Sequence, residues 1–306
     1  RYLLVASSRP GTLPNHLQGV WNTYNNAPWS CNYTHNINVQ MNYWPAFSTN
    51  LAETFESYVD FNKAFLPAAQ NNATNLINTH NPSVAGKDGG NGWTIGVASN
   101  PFFIGGERSC GNMGFTTQLY WDYYQYTKDP EVLKTIYDII VDAARYVTKC
   151  VDEYDGLYLV KRGDSPEMDQ NGNPSDSWYV TVGPTYAQSL AYLNNYAALQ
   201  CAKDIGINLD DAAELSQEDK TIFRTIMNQL DKYDPINIGL SGQIKEFREE
   251  TYYGSIGNPV HRHISQLVGL FPGNLINSST DAWLDAALVS INGRNETLKY
   301  WDDNDP

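Results

Sequence analysis

The chain has 306 residues, enough for one large domain or two small ones. It carries 20 Lys and Arg against 34 Asp and Glu, a formal net charge of -14, and this balance argues against nucleic acid as a partner, since phosphate backbones attract clustered cations. Hydrophobic residues reach 42%, yet no run approaches the ~18 consecutive apolar residues of a membrane span, so no membrane partner is expected. Cys31, Cys110, Cys150 and Cys201 are widely spaced, form no C-x-x-C pair, and read as mostly free thiols.

In chain order, residues 15–42 form a long polar segment, and 51–66 reads as a helix. A second polar stretch covers 80–112, followed by a helix over 113–127. The clearest periodicity runs from Asp129 to Val151: Asp129 is placed as N-cap and Pro130 at the first helical position, with one stripe of Val132, Leu133, Ile136, Ile140, Ala143, Ala144 and Val147. Tyr154 to Arg162 predicts a hairpin turning at Asp155-Gly156. After polar residues 163–184, a helix fits Thr185 to Asp204 through Leu190, Leu193, Ala197 and Cys201, stopping before Gly206. Another starts at Ser216 and repeats Ile222, Phe223, Ile226 and Leu230. A polar segment over 234–265 precedes a last helix at 281–291. Other strand signals are sparse. The chain reads as a single all-α domain of paired helices with its function in the connecting loops, which are long and carry Trp, His, Asn and carboxylates.

Aromatic residues make up 13%, including 8 Trp and 21 Tyr. Such rings suit the C–H faces and hydroxyl edges of sugars, and they also fill helical cores; composition does not separate the two. Between Pro28 and Pro45 polar amides alternate with aromatics, and Asn36 and Asn38, two apart, would point the same way in an extended stretch. Asn-rich loops also bond their own backbone through Asx turns, so this segment alone has two readings. Glu167 follows a proline in a polar loop, where partial burial would favour the protonated carboxyl that a general acid needs; the bland alternative is one surface carboxylate among 34 acidic residues. His261 and His263 flank Arg262, but i, i+2 spacing without a nearby third ligand favours hydrogen bonding over a metal, and no cofactor is implied.

Four blocks in order carry a resemblance. His35-Asn36-Ile37-Asn38-Val39-Gln40-Met41-Asn42-Tyr43-Trp44 is similar to the N-I-N-x-x-M-N-Y-W block of the family 95 α-L-fucosidases. Ser7 to Pro14 with Leu17 to Trp21 resembles the segment before it, Ser165-Pro166-Glu167 the family's S-P-E block, and His261 to Ser265 its H-R-H-x-S block. The resemblance spans nearly the whole chain. It implies an (α/α)6 barrel over residues 1–306, incomplete at its C-terminal end, and an inverting glycosidase acting on a glycan or oligosaccharide with a terminal α-L-fucose or a related sugar. Under it Glu167 is the general acid, Asn36 and Asn38 position the attacking water, and His35, Asn42, Trp44, Trp93, His261, Arg262 and His263 line the sugar subsite. Inversion implies an acid and base about 6.5–9.5 Å apart.

The pattern also departs from the family. Thr34 stands where the family has His, Gly96 replaces another His after Gly92-Trp93-Thr94, Ala187 replaces an acidic residue and Gln266 a further His. The family's general base, the Asp of a Q-I-D-G-N motif, is not matched; Asp302, Asp303 and Asp305 sit in no such context, and the base is expected beyond Pro306, while no counterpart of the family's N-terminal β-domain is expected within residues 1–306. The rival readings are a sugar-binding homologue impaired in catalysis and another (α/α) barrel enzyme, such as a different glycosidase or a polysaccharide lyase.

Overall fold

The computed structural model describes residues 1–107, 109–168, 181–210 and 215–298. It is mostly helical, in line with the all-α expectation. The chain divides into two compact units: the first holds Arg1–Arg108, Asn112–Lys149 and Asn194–Met227, the second Ser109–Gly111, Cys150–Leu193 and Asn228–Pro306.

The first unit opens with α1 (Tyr2–Ser7), then β1 (Tyr33–Thr34), α2 (Asn38–Ser48) and α3 (Glu56–His80). A small antiparallel sheet adds β2 (Ala98–Asn100) and β3 (Phe103–Ile104), with Tyr33 opposite Ser99 and Ser99 opposite Ile104. Strands of two or three residues are too short to leave an alternating pattern, which is why the sequence gives no sign of them. α3 begins five residues later than the expected 51 and continues fourteen beyond 66, running through Pro67. Pro67 removes one intrahelical donor, but Ala69, Ala73 and Ile77, one turn apart, keep burying the same face and carry the helix onward.

α4 (Gly111–Thr127) and α5 (Pro130–Cys150) follow. Asp129 Oδ1 accepts the Glu131 N–H at 2.8 Å, the expected N-cap bond, and every residue of the expected apolar stripe is buried. The core of this unit is aromatic: the Phe55 ring lies 5.3–5.5 Å from those of Tyr43, Phe47, Tyr58, Tyr120 and Tyr123. Much of the aromatic content is therefore core filler.

β4 (Val151–Tyr154) and β5 (Leu157–Val160) form the expected hairpin, pairing Tyr154 with Leu157. Asp155 (φ 48°) and Gly156 (φ 82°) both take the positive φ that a two-residue primed turn requires. α6 (Thr185–Asp204) has the expected bounds and ends as Gly206, at φ 96°, donates to Lys203 O at 2.9 Å. α7 (Gln217–Gln229) starts after Ser216, whose Oγ accepts the Asp219 N–H at 3.0 Å. α8 (Asp281–Leu298) extends past the expected 291 and packs Ala286 and Ala287, with Trp283 and Ile291, on Ile236, Ile244, Leu267 and Ile276 of the second unit. All four cysteines are free, and burial pushes the Cys201 thiol up to about 12.

Candidate active site

In the second unit, Ser165 and Met168 close a tight turn on themselves: Met168 N donates to Ser165 O at 2.8 Å and Ser165 N to Met168 O at 3.3 Å. Pro166 and Glu167 thus occupy the tip. Ser165, Pro166 and Met168 are buried while Glu167 is half-buried, so the turn is anchored below and offers its carboxylate above.

The H-R-H-x-S segment wraps this tip. Arg262 Nη2 donates to Glu167 Oε2, and Ser265 Oγ donates to Pro166 O. His263 Nδ1 lies 3.3 Å from the same carbonyl, while His263 N donates to His261 Nδ1 at 3.1 Å. The two imidazole rings meet edge to face, their centroids 5.1 Å apart. Burial, helped by His263, Arg262 and Arg294, lowers the pKa of His261 to about 4, against the opposing pull of Glu167. Burial lowers His263 in the same direction, so both rings are neutral near pH 7. A neutral imidazole keeps one donor and one acceptor, which suits the hydroxyls of a sugar.

Glu167, His261 and His263 each offer a ligand atom within 4.8 Å of the others, so these three residues could hold a metal ion. The pairing of Glu167 with Arg262 and of His261 Nδ1 with the His263 backbone already uses part of that donor set.

Beneath the turn lies a group that the sequence did not disclose. Glu246 Oε1 accepts Ser165 Oγ–H at 2.6 Å, and its Oε2 lies 3.4 Å from Arg294 Nη2; the two side chains are 9% and 4% exposed. Arg294 Nη1 donates to the carbonyls of His261 and His263, and Nε to Tyr253 OH at 2.9 Å. Glu246 N in turn donates to Glu250 Oε2 at 2.6 Å. Burial raises Glu246 to about 7; Ser165 and Arg294 oppose that rise, and Glu250 adds to it. Arg294 stood beyond the expected end of the last helix and Glu246 in a segment read only as polar. The available signal was spacing: Arg294 follows Ala287, Ser290 and Ile291 at helical intervals, on the buried face of α8.

In the first unit the amide pair occupies the corner between β1 and α2. Asn36 is buried, and Asn38 is half-buried in the first turn of α2. The stretch is thus a strand-to-helix corner rather than the expected extended segment, because His35 N is held by Val97 O at 2.7 Å and Gln40 Nε2 reaches back to His35 O at 2.7 Å. Asn42, half-buried, donates from Nδ2 to His16 O at 3.2 Å. Trp44 is half-buried with its ring 6.1 Å from that of Phe115.

Two of the expected sugar contacts, His35 and Trp93, are fully buried. His35 has no exposed surface: it lies against Tyr58 with ring centroids 6.1 Å apart, and burial depresses it to about 3. Trp93 is equally enclosed, its Nε1 donating to Ile139 O at 2.8 Å. Gly96, in the place of a family His, lies so close to the Gly105-Gly106 backbone that an added Cβ would sit 2.9 Å from Gly106 O. Ala187 and Gln266 are buried, and Thr34 pairs with Ala98 between β1 and β2. Asp302, Asp303 and Asp305 lie outside the described residues.

The model of the glycosyl hydrolase family 95 catalytic domain matches residues 1–304. Similar proteins include a probable alpha-fucosidase A of Aspergillus niger (29% identity, covering 91% of this chain and 33% of that protein) and the alpha-L-fucosidase 2 of Arabidopsis thaliana (27%, covering 98% and 34%). A probable alpha-fucosidase A of Aspergillus oryzae is 28% identical over 95% of this chain and 30% of its own length. The chain spans about a third of the length of these relatives.

Proposed function

Because the chain belongs to glycosyl hydrolase family 95, we propose that it supplies the acid half of an inverting glycosidase that removes terminal α-L-fucose, or a closely related sugar, from a glycan. The helices are proposed to be part of an (α/α)6 barrel. Glu167 gives its proton to the glycosidic oxygen as the bond to the anomeric carbon breaks. Asn36 and Asn38 hold the water that attacks from the opposite face. Arg262 and the neutral His261 and His263 take the sugar hydroxyls, with Asn42 and Trp44 as further contacts. The base role is assigned to no residue of 1–306, which contains no Q-I-D-G-N segment.

The observation that supports this reading best is the meeting of two blocks 95 residues apart, where Arg262 pairs with Glu167 and Ser265 ties down the turn that carries it. The Arg262 side chain is 61% exposed and so accessible to an incoming sugar. In the natural-length protein, Glu167→Gln should lower kcat on glycosides with poor leaving groups by ~10²- to 10⁴-fold and spare aryl fucosides, whose leaving group needs no proton. Equal losses on the two substrates would remove Glu167 from the acid role.

A further inference from the structure

The buried Arg294–Glu246 pair has an unusual set of partners for a structural ion pair. A guanidinium and carboxylate taken out of water seldom repay their desolvation, and apolar side chains of similar size often stabilise as well or better. Here the donors of Arg294 are distributed onto the backbone of the residues flanking Arg262, through the carbonyls of His261 and His263. The Glu246 carboxylate, through Ser165 Oγ, grips the first residue of the turn that presents Glu167. One pair on α8 and its neighbouring loop thus ties both blocks of the site from below, while Tyr253 OH fixes the guanidinium from a third direction.

We infer that Arg294 and Glu246 are positioning residues, holding the Glu167 turn and the His261–His263 segment in one frame so that acid and subsite stay in register. The inference rests on the acid role of Glu167. Proton delivery needs the donor within hydrogen-bond reach of the leaving oxygen, and a misplacement of about 1 Å costs on the order of 10²-fold. Neither residue touches substrate; both act through Ser165 and the carbonyls.

The test uses the natural-length protein with Ser165→Ala, Arg294→Lys and Glu167→Gln, and the first two also combined with Glu167→Gln. Each variant is assayed on an alkyl and an aryl α-L-fucoside. Ser165→Ala and Arg294→Lys should each lower kcat on the alkyl substrate roughly 10- to 100-fold. Ser165→Ala, which touches only the Glu167 turn, should keep KM and aryl-fucoside turnover within about threefold of wild type, whereas Arg294→Lys, which also loosens the His261–His263 segment, should raise KM on both substrates; neither change should add to the alkyl-fucoside kcat loss already caused by Glu167→Gln. Ser165→Ala removes no buried charge and serves if Arg294→Lys fails to fold. Equal kcat losses on both substrates with Ser165→Ala, an unchanged KM with Arg294→Lys, or alkyl-fucoside losses that multiply with that of Glu167→Gln would overturn the inference while leaving the acid reading intact. If Glu167→Gln alone fails to discriminate between the substrates, the acid reading falls and the inference with it.

Discussion

The surroundings of the Asn36 corner in the first unit and of Glu167 in the second bury polar groups in opposite ways. Around the Asn36 corner the first unit buries uncharged groups: the Ser8, Tyr43 and Ser57 hydroxyls bond to one another, His35 is held neutral, and the rest is aromatic. Around Glu167 the second unit buries charge, setting Glu246 and Arg294 beneath the site and leaving Glu167 and Arg262 partly open above. Uncharged hydroxyls bonded to one another in a tight core keep their charge state near neutrality. Buried ionisable groups give directed fields and adjustable protons, at a desolvation cost that only good pairing offsets.

Breaking each arrangement at its centre should expose this difference. Phe55→Ala removes a fully buried ring that contacts five others, and should cost about 3–5 kcal/mol at any pH between 5 and 8, measured by urea unfolding. Arg294→Met strands Glu246 and removes a charge that holds its carboxyl down, so the loss should be largest, up to about 3–5 kcal/mol, toward the alkaline end where the carboxyl is ionised. With Glu246 raised to about 7, the carboxyl becomes neutral at pH 5, so the same variant should be less destabilised there. A loss independent of pH would show that Glu246 does not titrate in the folded protein.

His35→Phe sharpens the comparison at smaller scale. The folded protein holds His35 near 3 while the unfolded chain protonates near 6.5, so as pH falls the unfolded state takes up the proton first. The stability that a neutral His35 contributes is present above 6.5 and is lost progressively toward 3. His35→Phe cannot titrate, and its melting temperature should therefore fall less than that of the wild type between pH 6.5 and 4, by roughly a few degrees. Parallel curves would place the acid sensitivity elsewhere, His261 being the next group to test.

Much of the fold was legible because its signals are local. The stripe of α5, the Asp129 cap, the Asp155-Gly156 turn and the glycine stop after α6 each depend on residues within a few positions of one another. Of the site, the chemistry of the two blocks could be read, but not their setting. Asn36 and Asn38 looked like neighbours on an extended stretch until the β1–α2 corner turned between them. Trp93 and His35 stand among the sugar contacts that the resemblance implies, while the structure buries both, Trp93 bonded to Ile139 O and His35 beside the Tyr58 ring.

The sequence by itself determined helices α3 to α8, the hairpin, the acidic charge balance and the order of the four blocks, since periodicity, capping and turn chemistry are written between near neighbours; α1 and the α2 that carries Asn38 and Asn42 were not among the expected helices. Only the tertiary structure decided which polar groups are buried and with whom. Arg262 meets Glu167 across 95 positions and Arg294 meets Glu246 across 48, and no local pattern encodes such a pairing. It arises because packing removes water from particular side chains, and each buried charge or donor must then find its partner wherever the chain has brought one.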